Sequence, residues 1–83
     1  MSSLDQNFRQ IIVLKVKERW TVRSDRTPES TFPDQRDALK AAVNLAEDLG
    51  KNGSPARVML LDLRKGIGQP FWTYGQDAYP PSI

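Results

Sequence analysis

One stretch of the chain carries helical periodicity, Asp34 to Gly50 (DQRDALKAAVNLAEDLG), and it limits the fold more than any other feature. At about 100° per residue, Ala38, Ala42, Leu45, Ala46 and Leu49 gather on one face, with Leu39 and Ala41 at its margins. Arg36, Lys40, Asn44 and Glu47 fall opposite. Asp34 is placed to cap the first free backbone N–H groups, and Asp37 adds negative charge at the positive end of the helix dipole. Pro33 pushes Phe32 into extended geometry just before the helix. Gly50 stands where a left-handed residue would close it. The alanines at 38, 42 and 46 recur every fourth residue and leave a shallow strip for close approach to a sheet. With one helix available, any sheet formed by the rest of the chain is covered on one side only.

The rest reads as strand and turn. From Gln10 to Arg23 (QIIVLKVKERWTVR) the pattern has period two. Ile12, Leu14, Val16, Trp20 and Val22 share one parity; Ile11, Val13, Lys15, Lys17, Arg19, Thr21 and Arg23 share the other. The stretch is long for one strand of a small domain, so it predicts a hairpin turning through Lys17-Glu18-Arg19. A three-residue loop sets Val16 opposite Trp20 and Leu14 opposite Val22, all on one side. A two-residue loop scatters the apolar set across both faces. Three-residue loops favour glycine at the last position, held here by Arg19, so a five-residue loop is the alternative. Ser30 to Phe32 suits a short strand. Ala56 to Leu63 (ARVMLLDL) is apolar on both parities, as in a strand buried on both faces, and leaves open which parity meets the helix. Arg64 to Pro70 reads as a turn and Phe71 to Tyr74 as a last strand. The expected fold is α+β in two layers: one helix packed on a mainly antiparallel sheet of three to five strands, in the order β-β-(β)-α-β-β. Residues 10–75 form one domain between a flexible N-terminal tail (1–9) and a Pro-rich C-terminal tail (76–83). In that tail Tyr79 either packs back on the aromatic cluster of Phe71, Trp72 and Tyr74 or leaves the segment as an extended ligand for a partner's groove.

Composition narrows the chemistry. The chain has neither cysteine nor histidine. That excludes disulfides, cysteine-ligated zinc, imidazole acid–base catalysis and Ser-His or Cys-His nucleophile pairs. No catalytic residue, metal ligand or cofactor is expected. Asp34 and Asp37 are accounted for by capping; Glu47 and Asp48 diverge on adjacent helical positions. Arg64-Lys65-Gly66-Ile67-Gly68 lacks the spacing of a phosphate loop and precedes no helix. No signal-like or membrane-spanning run is present, so the expectation is a cytoplasmic, non-enzymatic protein without a membrane partner.

Several elements fall in a familiar order: W-x-V (Trp20, Val22), a phenylalanine before a capped helix (Phe32), A-x-x-x-A-x-x-x-A (Ala38, Ala42, Ala46), an apolar strand and a closing Y-G (Tyr74, Gly75). Over about Ile11 to Asp77 they resemble the small bacterial domain-of-unknown-function family 2188. The family's glycine before the tryptophan is Arg19 here, and Arg64-Lys65-Gly66 stands for its late glycine-containing turn. The resemblance implies the fold and supplies no catalytic or ligand residues.

Function is therefore sought on the helix-free sheet face. The parity Ile11, Val13, Lys15, Lys17, Arg19, Thr21 and Arg23 is the candidate interaction face. Its apolar members suit a homodimer or another protein partner. Its basic members suit nucleic acid as the alternative, although Glu18, Asp25 and Glu29 dilute the field and Trp20 lies on the other parity. Net charge is only +2, too small for long-range steering to decide between them.

Overall fold

The computed structural model describes residues 8–25 and 27–82; the first seven residues of the expected N-terminal tail lie outside the described ones. The described chain is one α+β unit of two layers, with elements β1 (Arg9–Val16), β2 (Arg19–Arg23), β3 (Ser30–Phe32), α1 (Gln35–Lys51), β4 (Ala56–Asp62) and β5 (Ile67–Thr73). The five strands form one mixed sheet in the order β3-β2-β1-β4-β5. β1 and β4 run parallel, and the other three pairings are antiparallel. A parallel pair needs a crossover. The β3–α1–β4 segment provides it: α1 packs across β4, β1 and β2, touches β3 less, and delivers β4 beside β1.

β1 is the middle strand, and its sequence shows why. Ile11-Ile12-Val13-Leu14 is an unbroken apolar run, and in parallel register it meets Val58-Met59-Leu60-Leu61 of β4. Strands apolar on both parities can bury both faces, whereas alternation marks a strand with one wet side. Ile11 and Val13 point to α1 with Val22, Val58 and Trp72, and all five are buried. From the helix come Ala38, Leu39, Ala42, Val43 and Ala46. The core is thus centred one residue round from the expected stripe: Val43 is 1% exposed, while Leu45 and Leu49 are half-buried at the edge.

The β1–β2 loop differs from the expected one. It has two residues, Lys17 and Glu18, with Val16 opposite Arg19 and Lys15 opposite Trp20. Lys17 makes this possible by adopting a φ of 58°, a region that non-glycine residues seldom enter. The apolar set does divide between the two faces. That division is tolerated because β1 is central and both faces have apolar neighbours.

The helix ends also differ. Asp34 holds the N-cap position in extended geometry, but its side chain makes no capping bond. Gly50 is helical. The helix closes on Gly53, whose φ is 90°. Ser54 N–H donates to the Leu49 carbonyl at 2.8 Å and Gly53 N–H to the Gly50 carbonyl at 3.0 Å, the paired bonds of a Schellman closure. Gly50 serves packing instead: it lies against the ring of Tyr74, and no side chain would fit between them.

β5 begins at Ile67, so part of the expected 64–70 turn is strand. Pro70 is accommodated because β5 is an edge strand, next to a register shift at Val58/Met59. Beyond it the chain folds back over Trp72. Trp72 Nε1–H donates to the Ala78 carbonyl at 2.8 Å. The Tyr79 ring meets Trp72 edge-on, and its hydroxyl donates to Asn44 Oδ1 of α1 at 2.6 Å. Of the two roles expected for Tyr79, packing back is the one observed.

Candidate interaction face

With Val13 and Val22 under the helix, the next parity forms the helix-free face. Its rows follow from the register. Thr31, Thr21, Leu14, Leu61 and Gly68 make one row; Arg23, Ile12, Met59 and Pro70 make the next; Gln10, Arg57 and Thr73 make a third. The middle of the face is therefore four aliphatic or thioether side chains on the two central strands: Ile12, Leu14, Met59 and Leu61. Leu14 is buried among its neighbours, and the other three are half-buried. Val16 extends the strip to the sheet end at 36% exposure. Gly68 leaves room for Leu61, whose Cδ1 would stand 3.1 Å from a Cβ placed there. Among the described residues α1 is the one helix, and it packs on the opposite side.

The expected interaction residues are divided by this arrangement. Ile11 and Val13 are corrected outright: both are fully buried against α1 and present nothing to a partner. Lys15 shares their side of the sheet, lies beyond the helix and is exposed. Lys17 sits in the turn. Arg19, Thr21 and Arg23 are on the helix-free face, with Thr21 buried and both arginines exposed. The cause is the two-residue turn, which inverts the parity of β1 relative to β2 from that of an odd loop. Met59 and Leu61, absent from the expected set, are brought in by β4. Their signal was present in the double-parity apolar run, but the register that selects them is a tertiary property.

The basic stripe expected on this face is also broken up. Arg23 is ion-paired with Glu29, and Arg19 Nε–H donates to Thr31 Oγ1 at 3.4 Å. Arg57 places its guanidinium 5.0 Å from the centre of the Phe8 ring. At the start of β1, on the other side of the sheet, Arg9 pairs with Asp25 at 3.0 Å. The exposed Arg23–Glu29 pair is worth little to stability, but it neutralises one of the cations on this face.

Among the described residues no helix is long and apolar enough to cross a membrane. No family model matches the chain, and no curated protein or solved structure matches it.

Proposed function

We propose that the protein is a small non-catalytic association module that uses its helix-free sheet face to bind a protein surface, a second copy of itself being the simplest occupant. One observation carries this reading: Ile12, Leu14, Met59 and Leu61 adjoin across β1 and β4 on a face that α1 does not cover. A soluble domain seldom presents a contiguous apolar strip on a sheet without a use for it.

The size of the face sets the expected strength. Four strands at ~4.8 Å and seven residues at ~3.3 Å give a projected area on the order of 450 Å². Allowing for side-chain relief, that approaches the low end of stable interfaces, where each partner contributes roughly 600–800 Å². Association is therefore expected to be micromolar.

Sedimentation equilibrium across a range of about 5 to 500 μM tests this. The mass should move from 9.4 kDa towards twice that value. Met59→Lys should shift the midpoint upward by about tenfold, since it puts a charge in the contact while its stem can lie along the surface and keep the fold. A monomer at every concentration, or an unchanged midpoint in the variant, refutes self-association through this face. Nucleic acid on the same face has less support, because Lys15 and Lys17 have left it and Arg23 is paired. That alternative predicts binding that weakens steeply with salt, where an apolar interface changes little.

A further inference from the structure

At the end of the sheet where α1 begins, the β1–β2 and β4–β5 turns border a cleft of about 640 Å³. Four cations line it: Lys15 and Lys17 from the first hairpin, Arg64 and Lys65 from the second. All four are exposed, and none belongs to an ion pair among the described residues. Asp62 is the single acid of the lining. Its Oδ1 accepts the backbone N–H groups of Arg64 at 3.0 Å and Lys65 at 3.3 Å, so it shapes the turn that presents them. The local field is strongly positive although the whole chain is nearly balanced.

The same cleft is apolar at its base and lip. Trp20 and Leu60 are half-buried there, and Ile67 and Leu63 are 53% and 60% exposed. Large aliphatic side chains this exposed beside four cations set the chemistry that a ligand of this cleft would need. The cations stand on separate segments, so they suit several anions along a chain better than one phosphate. The exposed apolar atoms are aliphatic and suit a protein side chain. Single-stranded nucleic acid stacks its bases on aromatic faces, and Trp20 is the lone aromatic of the lining.

We propose that this cleft binds an acidic peptide segment of a partner protein, with carboxylates on Lys15, Lys17, Arg64 and Lys65 and a large apolar side chain over Trp20, Leu60 and Ile67. The cleft borders the helix-free face at Leu61, but its four cations and Trp20, Leu60 and Ile67 lie outside the Ile12, Leu14 and Met59 strip, so neither reading depends on the other.

Fluorescence anisotropy with three labelled probes tests it: a peptide of repeating Glu-Glu-Leu, one of repeating Glu-Glu-Gly, and an oligothymidylate of similar length. At low salt, about 50 mM, the leucine peptide should bind, and should bind tighter than the glycine peptide and the oligonucleotide. Lys17→Glu with Lys65→Glu should weaken it by about tenfold or more, because two attractions become repulsions. Lys40→Glu, on the outer face of α1, and Met59→Lys, on the helix-free face, should each leave it within about twofold. All these positions are exposed or half-buried, and matched melting curves verify the fold. The proposal is overturned if neither peptide binds at low salt, if the glycine peptide binds as well as the leucine one, or if the oligonucleotide binds tightest. It is likewise overturned if Lys40→Glu weakens binding as much as the double variant, which would reduce the effect to net charge.

Discussion

Gly50→Ala separates two roles that a glycine near a helix end can have. If Gly50 closed the helix, alanine would be strained by its backbone. In the structure Gly50 is helical, and alanine there should add up to about 0.8–1 kcal/mol of helix propensity. The opposing effect is steric. A Cβ on Gly50 would stand 2.5 Å from Cε1 of Tyr74, whereas carbon atoms rest at about 3.5 Å or more. The ring must therefore retreat by about 1 Å. Tyr74 is not free to do so, since it packs on the core and meets Trp72 edge-on at 6.5 Å, and Trp72 is only 2% exposed. Overpacking of this kind costs about 1–3 kcal/mol. The net expectation is a loss of about 1 kcal/mol, or roughly 4–8 °C in melting temperature for a domain of this size. With Tyr74→Ala in place the obstruction is gone, and the same Gly50→Ala change should stabilise by up to about 1 kcal/mol. Urea unfolding followed by circular dichroism on the two single variants and the double variant measures the coupling, expected at about 1–3 kcal/mol. If Gly50→Ala stabilises equally in both backgrounds, the ring does not hold the position and the packing account of Gly50 fails.

Three further outcomes follow from the core, the turn and the tail. Val43→Ala should cost about 2–3 kcal/mol, from two buried methyl groups and the cavity left behind, while Leu45→Ala should cost about 1, its side chain being half wet already; equal losses in denaturant titrations would contradict the observed centre of the helix face. Lys17→Gly should stabilise by about 1 kcal/mol by removing the penalty of a left-handed residue, read as a raised melting temperature; a drop would mean that the two-residue turn is not the native one. Tyr79→Phe should cost about 0.5–1 kcal/mol through the lost bond to Asn44, with no change in Trp72 emission, because the ring contact and the Ala78 acceptor both remain.

The parts legible in the sequence were those governed by local rules. The helix, its alanine strip and its Pro33 entry follow from periodicity and backbone restriction, and so do the short strand at Ser30–Phe32 and the apolar strand after the helix. The C-terminal closure was displaced by three residues because glycine has two uses. A glycine that admits a neighbouring ring and one that takes a positive φ are identical in sequence, and only the position of Tyr74 distinguishes Gly50 from Gly53. The centre of the helix stripe moved towards Val43 because the crossover helix lies over β4, β1 and β2 at an orientation that the sheet order sets. No window of the sequence contains that order. Ile11-Ile12-Val13-Leu14 did carry a signal for a central strand, the same signal as Val58 to Leu61, but alternation in the neighbouring Lys15 to Arg23 outweighed it.

The turn at Lys17 has the largest consequence for function. With an odd loop, Lys15, Lys17, Arg19 and Arg23 would line one side of the sheet as a continuous basic stripe, and a polyanion would be the natural occupant of that face. One residue fewer in the loop exchanges the two parities of β1 relative to β2. Ile12 and Leu14 then come to the helix-free side beside Met59 and Leu61, and Lys15 moves to the other side, where it meets Arg64 and Lys65 at the end of β4. The same twelve basic residues thus yield an apolar sheet face and a separate basic end in place of one mixed surface. Holding Lys17 at positive φ costs about 1–2 kcal/mol, less than is gained in the register this turn sets, where Ile11 and Val13 are buried under α1 at about 1.5–3 kcal/mol each. The pairing that secures the core therefore also decides which surface is apolar and which is charged.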